Sequence, residues 1–169
     1  MSAATELPDA EATLLALAER MRGAVAHDAA FVGIYSGGAW LAERLPALVP
    51  GNHPVGYIDV SFYRDDYSRT GLKPNTKRTE LPFDVDGASI VLVDDVLFTG
   101  RSVRAAVNEL FDFGRPARIE LAVLIDRGGR ELPIEPTYCG ARLAVARDLS
   151  IVLSRDDGRL RLDAEKQGS

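Results

Sequence analysis

Cysteine is almost absent from this chain. Cys139 stands alone, so no intrachain disulfide can form. No apolar run approaches the roughly 20 residues that span a bilayer. Met1 to Glu6 shows no basic segment leading into an apolar core, which argues against an ordinary signal peptide. Positive charge is outweighed: 20 Lys and Arg stand against 25 Asp and Glu, a net charge of −5. That balance argues against a protein dominated by general nucleic-acid affinity, although a local basic face is compatible with it. There is no internal repeat and no low-complexity tract. The absences predict a soluble, cytoplasmic protein with no membrane partner. What is present supports a packed fold. Hydrophobic residues make up 46% of 169 positions, enough for a core and consistent with one domain over 1–169.

The informative stretch is Ser89 to Ser102. Ser89-Ile90-Val91-Leu92-Val93 is a continuous apolar run, as a strand reads when both faces are buried in a parallel sheet. The expectation is a strand ending at Asp94, with Asp94 and Asp95 at its carboxyl end. A small polar turn, Thr99-Gly100-Arg101-Ser102, then opens a helix over Val103 to Phe113. Ligands of open α/β sheets sit at the carboxyl ends of strands. A turn opening a helix offers free N–H groups and the positive end of a dipole, which suit a phosphate. The carboxylates are acceptors, suited to sugar hydroxyls or hydrated Mg²⁺. The combination points to a sugar phosphate. Two other phosphate motifs do not fit. Asp95 and Arg101 occupy the places where a P-loop needs its first Gly and its Lys, and G-x-G-x-x-G is absent.

Elsewhere, Pro8 to Val25 reads as a packing helix with Leu14, Leu17, Ala18, Met21 and Val25 on one face. Ala29 to Ile34 reads as a strand running into Tyr35-Ser36-Gly37-Gly38 and a helix over Ala39 to Leu48, ended or bent at Pro46. Val55 to Tyr63 reads as a strand. Arg64 to Arg78 is a polar loop carrying Arg64, Arg69, Lys73, Lys77 and Arg78, long enough to read as a lid whose cations could meet an anionic leaving group. Arg118 to Ile125 is a further buried strand, followed by the polar turn Asp126 to Pro133. Ser150 to Ser154 and Arg159 to Leu162 flank Asp157-Gly158, a hairpin signal, with Ala164 to Ser169 expected as a frayed tail.

Val91 to Ser102 resembles the phosphoribosyl pyrophosphate (PRPP) signature of the type I phosphoribosyltransferases. Together with Ile58 to Asp66, Phe113-Gly114-Arg115-Pro116 and Leu121 to Ile134, it is similar to the pyrimidine operon attenuation regulator/uracil phosphoribosyltransferase family, in order from about Ala30 to Cys139. The resemblance implies the type I fold: α/β, a central mostly parallel sheet flanked by helices, with a small hood, here a core of about 29–139 and a C-terminal hairpin of about 149–163. It implies the reaction uracil plus PRPP giving UMP and pyrophosphate, with Mg²⁺ as cofactor. It places Asp94 and Asp95 on the ribose hydroxyls, directly or through Mg²⁺. PRPP and UMP would lie along Asp94, Asp95, Val96, Leu97, Phe98, Thr99, Gly100, Arg101 and Ser102, the last four holding the 5′-phosphate. Tyr35, Ser36, Gly37, Gly38 and Arg64 would take the pyrophosphate, with Arg64 catalytic beside the two acids. Phe98, Asp126 and Arg127 would meet uracil.

Phe98 stands where purine-specific type I enzymes often carry an acid. It cannot transfer a proton but can pack on a pyrimidine, which favours uracil. The pyrophosphate turn lacks the basic residues common in the regulators. The alternative function is a UMP-sensing, RNA-binding regulator of a pyrimidine operon, with or without catalysis. Residues 1–30 hold two arginines against five acids, which makes RNA the less favoured partner. The family suggests a homo-oligomer, a dimer or larger.

Overall fold

The computed structural model describes residues 5–61 and 78–167. Its centre is a sheet of five strands, all parallel, in the order β2-β1-β3-β4-β5. These are β1 (Ala30–Ile34), β2 (Val55–Ile58), β3 (Ser89–Leu97), β4 (Arg118–Asp126) and β5 (Tyr138–Arg142). The register follows from the sequence period. Phe31, Val91, Val93, Ala122 and Leu124 turn to one face, and Val32, Ile90, Leu92, Leu121 and Val123 to the other. The first face is covered by α1 (Ala10–Met21), α2 (Gly37–Arg44) and the hairpin of β6 (Leu149–Asp156) and β7 (Arg159–Lys166). The second is covered by α3 (Arg101–Phe113), through Val103, Ala106 and Leu110. Both faces of the central strands are thus buried, as their unbroken apolar runs require.

Several boundaries differ from the sequence reading, each for a local reason. β3 does not stop at Asp94. It runs through both acids to Leu97 because β4 keeps pairing alongside, Val96 with Ile125 and Leu97 with Asp126. α1 is shorter than Pro8 to Val25. The Asp9 carboxylate accepts from Glu11 N at 2.9 Å and caps the start, and Arg22 turns extended (φ −61°, ψ 130°) to end it. α2 begins at Gly37, and Pro46 lies in the 3₁₀ turn Leu45–Ala47 that follows it. β2 is only four residues long. Asp59 takes Ser61 N onto its own carboxylate at 2.9 Å, a local turn that competes with the ladder. Of the stretch expected as a tail, Ala164, Glu165 and Lys166 instead pair with Ile151, Ser150 and Leu149, and 168–169 lie outside the described residues. β5 was not expected at all, because Cys139-Gly140-Ala141 carries no apolar run. The hairpin signal is borne out, with positive φ at Asp157 (49°) and Gly158 (78°). Among the described residues no helix is long and apolar enough to cross a membrane.

Candidate active site

Parallel strands send all their carboxyl ends to one side. Because β1, β3 and β4 are neighbours, the turns that follow them adjoin: Tyr35-Ser36, Phe98 to Gly100, and the hood Arg127 to Pro133. Arg64 and the loop to residue 77 lie outside the described residues.

Both helices that open from this side lack a side-chain cap and carry no acid in their first turns. α1, remote from the turns, has both. An uncapped helix start leaves N–H groups and positive dipole available to an anion. At α3 the backbone is shaped for this. Gly100 adopts φ +94°, a left-handed conformation that costs a larger residue. One first-turn amide, Arg101 N, already donates to Thr99 Oγ1 at 3.2 Å.

The acids lie between the two helix starts. Asp94 Oδ1 accepts from Asp95 N at 2.9 Å, and Asp95 Oδ1 accepts from Val96 N at 2.8 Å, so each carboxylate is oriented by the strand itself. Gly37 and Gly38 bring α2 down onto them. A Cβ at 37 would overlap the Asp95 carboxylate, and one at 38 would overlap the Val93 carbonyl oxygen and stand 3.1 Å from Asp94 Cα. The paired glycines, a weak signal in sequence, are what allow this approach. Tyr35 stacks on Tyr57 with ring centroids 5.5 Å apart. Burial raises its phenol pKa, and the charges of Glu80, Glu43 and Asp59 add to the shift.

The hood is fastened to the phosphate turn. Glu131 N and Leu132 N donate to the Thr99 carbonyl at 2.9 and 3.2 Å, and Arg127 N donates to the Leu97 carbonyl at 3.1 Å. The structure brings Phe98, Asp126 and Arg127 together but engages both polar side chains internally. Asp126 is 3% exposed; its Oδ2 accepts from Arg130 at 2.7 Å and Arg142 at 3.0 Å, and its Oδ1 from Gly128 N at 3.0 Å. Burial acts to raise its pKa, but the Arg130 hydrogen bond, the Gly128 amide and the two guanidinium charges outweigh it and hold the carboxyl below its ordinary value. Arg127 donates to the carbonyls of Leu149 (2.7 Å) and Ala146 (3.0 Å) and lies 4.0 Å over the Phe98 ring. Burial lowers its pKa, and its Nε is buried without a partner. Arg130, Arg142 and the 143–149 segment escaped the sequence reading. The i, i+4 spacing of Asp126 and Arg130 was the one available signal. Beside the hood lies a cavity of about 400 Å³ lined by Asp126, Gly128, Arg130, Glu135 and Arg142 among others.

Among the described residues no cluster of three or more His, Cys, Asp or Glu could hold a metal. Two adjacent carboxylates fit Mg²⁺, which characteristically keeps several waters and takes its remaining ligands from substrate phosphates.

The family model for the phosphoribosyl transferase domain matches residues 5–141. A protein of Ralstonia nicotianae named Bifunctional protein PyrR is 54% identical over 140 residues, 83% of this chain and 80% of that protein. One of the same name from Pseudomonas aeruginosa is 51% identical over 123 residues, 73% and 72% of the two chains. Among solved structures, a hypoxanthine-guanine phosphoribosyltransferase from Bacillus anthracis superposes with a TM-score of 0.65 at 15% identity, covering 85% of this chain and 86% of that one. A hypoxanthine phosphoribosyltransferase from Staphylococcus aureus gives 0.60 at 18%, covering 85% and 79%. The structural likenesses establish the fold alone.

Proposed function

The chain belongs to the phosphoribosyl transferase domain family, among the bifunctional PyrR proteins, and from that premise we propose that it transfers the phosphoribosyl group of PRPP to uracil, giving UMP and pyrophosphate. The observation that carries the reading is the convergence of two uncapped helix starts, α2 and α3, on the adjacent carboxylates Asp94 and Asp95. Such a site can hold two anionic groups with a polyhydroxyl between them.

In the reaction, N1 of uracil bonds to C1 of the ribose as the bond from C1 to the pyrophosphate oxygen breaks. The electron pair leaves on pyrophosphate and the N1 proton passes to solvent. Positive charge builds on the ribose and negative charge on the leaving group. The Asp94 and Asp95 carboxylates would orient the ribose hydroxyls and favour the cationic ring. The first-turn amides of α2, with Arg64, would stabilise the leaving pyrophosphate. Thr99, Gly100, Arg101 and Ser102 would hold the 5′-phosphate, which both PRPP and UMP carry. Asp94 and Asp95 would hold Mg²⁺, in part through water, and Mg²⁺ when bound supplies charge neutralisation on the pyrophosphate. Phe98, with no proton to exchange, leaves the base to be read by backbone groups of the hood. A pocket that satisfies one base edge rejects another because buried polar groups would go unpaired. The test is PRPP-dependent nucleotide formation with uracil, cytosine, hypoxanthine and guanine at equal concentration. Uracil should dominate, and purines used equally well would refute the assignment.

The curated relatives are called bifunctional, which favours a second reading: a UMP-sensing regulator that binds pyrimidine-operon leader RNA. Filter binding with that RNA, with and without UMP, tests it directly. A cytoplasmic, single-domain homo-oligomer is the form in which we propose both activities reside.

A further inference from the structure

We infer that Arg130 is a positioning residue that fixes the hood above the phosphate turn and thereby sets the affinity for uracil without touching it. The inference rests on the uracil reading above. Residues 127–137 contain no helix or strand, and Gly128 and Gly129 both have positive φ, +73° and +77°. Consecutive glycines bring little shape of their own, so the loop must take its geometry from what tethers it.

Four of the hood's tethers meet in one planar group. Arg130 Nε donates to the Ile134 carbonyl at 2.7 Å, on the returning limb of the loop. Its NH1 donates to the Phe98 carbonyl at 3.1 Å, in the turn after β3, and more weakly to Gly128 at 3.5 Å. Its NH2 donates to Asp126 at 2.7 Å, at the end of β4. One guanidinium thus joins both limbs of the hood, the strand it leaves and the turn it covers. Its side chain is 16% exposed, and all three nitrogens are engaged with protein acceptors, which leaves the group to position rather than to bind. Asp126 balances the charge and is itself braced by Arg142 of β5. A flat fork of five donors suits this geometry. A lysine ammonium cannot reach the carboxylate and both flanking carbonyls together.

Tethers that do not depend on Arg130 hold the phosphate side. Glu131 N and Leu132 N reach the Thr99 carbonyl, and Arg101 pairs with Glu131 at 3.1 Å. Losing Arg130 should therefore loosen the base end and spare the phosphate end. The experiment compares the unmodified chain with Arg130→Met, Arg130→Lys and Arg130→Ala. It measures KM for uracil at saturating PRPP, KM for PRPP at saturating uracil, and the melting temperature. Arg130→Met should raise the uracil KM about 10- to 100-fold, the effect of small misplacements, while the PRPP KM stays within about twofold. Arg130→Lys should fall between, and millimolar guanidinium added to Arg130→Ala should lower the uracil KM again. An unchanged uracil KM, or uracil and PRPP constants rising together, overturns the inference. If Arg130→Met does not fold, Arg130→Lys is judged by the same comparison. A wild-type chain that makes no UMP from uracil overturns the functional reading itself, and this inference with it.

Discussion

Gly38→Ala sets two effects of known size against each other. The added Cβ overlaps the Val93 carbonyl oxygen and stands 3.1 Å from Asp94 Cα and 3.2 Å from the Val93 carbonyl carbon. Carbon contacts are optimal at about 3.5–4.0 Å. All the atoms it meets are backbone of β3 in the middle of the sheet, so the strand cannot yield and α2 must lift instead. Alanine gains up to about 1 kcal/mol over glycine in a helix interior, less at its first turn. Overpacking costs about 1–3 kcal/mol. The net is a loss of up to about 3 kcal/mol, a fall in melting temperature of at most roughly 12 °C for a chain of this size. Function should suffer more than stability. A displacement of the α2 amides by about 1 Å can cost about 10²-fold in a step that depends on them. Calorimetric titration with PRPP in Mg²⁺ and with UMP separates the effects. PRPP affinity should fall about 10- to 100-fold, whereas UMP, which has no pyrophosphate, should bind nearly as before. Unchanged PRPP affinity, or equal losses for both ligands, would refute the reasoning.

Asp95→Asn keeps an acceptor for Val96 N but removes the charge beside the ribose, so turnover should fall by about 10²-fold or more with a normal melting curve; near-normal turnover of PRPP would remove Asp95 from the site. Gly100→Val places a branched side chain at φ +94° with its Cβ 3.3 Å from Ile134, and should weaken PRPP and UMP together, with roughly 1–2 kcal/mol of strain from the left-handed backbone. Calorimetry showing intact UMP binding would contradict it. Asp126 titrates below its ordinary value when folded, so the stability it contributes is fully present above about pH 4 and is lost as pH falls through the lower folded pKa. Melting curves on acidification should show a steeper loss for wild type than for Asp126→Asn, and parallel curves would count against the Asp126 ion pairs.

The parallel core was legible because Ile90 to Val93, Leu121 to Ile125 and Ala29 to Ile34 carry no charged or polar side chain, a pattern that burial on both faces imposes. The turn that opens α3 was legible because Gly100 there takes a backbone geometry that few residues adopt. Other features depend on partners far along the chain. Nothing near Asp94 says that the strand continues, since Ile125 and Asp126 supply the pairing that extends it. Ala164 to Lys166 look like a tail until Leu149 to Ile151 lie beside them. The family resemblance places Asp126 and Arg127 on uracil. Their engagement with Arg130, Arg142, Ala146 and Leu149 comes from residues up to 22 positions away, which no local pattern announces.

Strand order has a last consequence. The turns assigned to pyrophosphate, ribose phosphate and base follow β1, β3 and β4, which are consecutive in the sheet. Neighbouring strands are spaced about 4.8 Å apart, so under the proposed function the sheet would work as a graduated scale, with the substrates laid across it and one chemical group per step. Each step belongs to a different loop. A new nucleobase preference could therefore arise by rebuilding the connection after β4 and the residue ahead of Thr99, while the machinery for PRPP, carried by the two neighbouring steps, stays as it is.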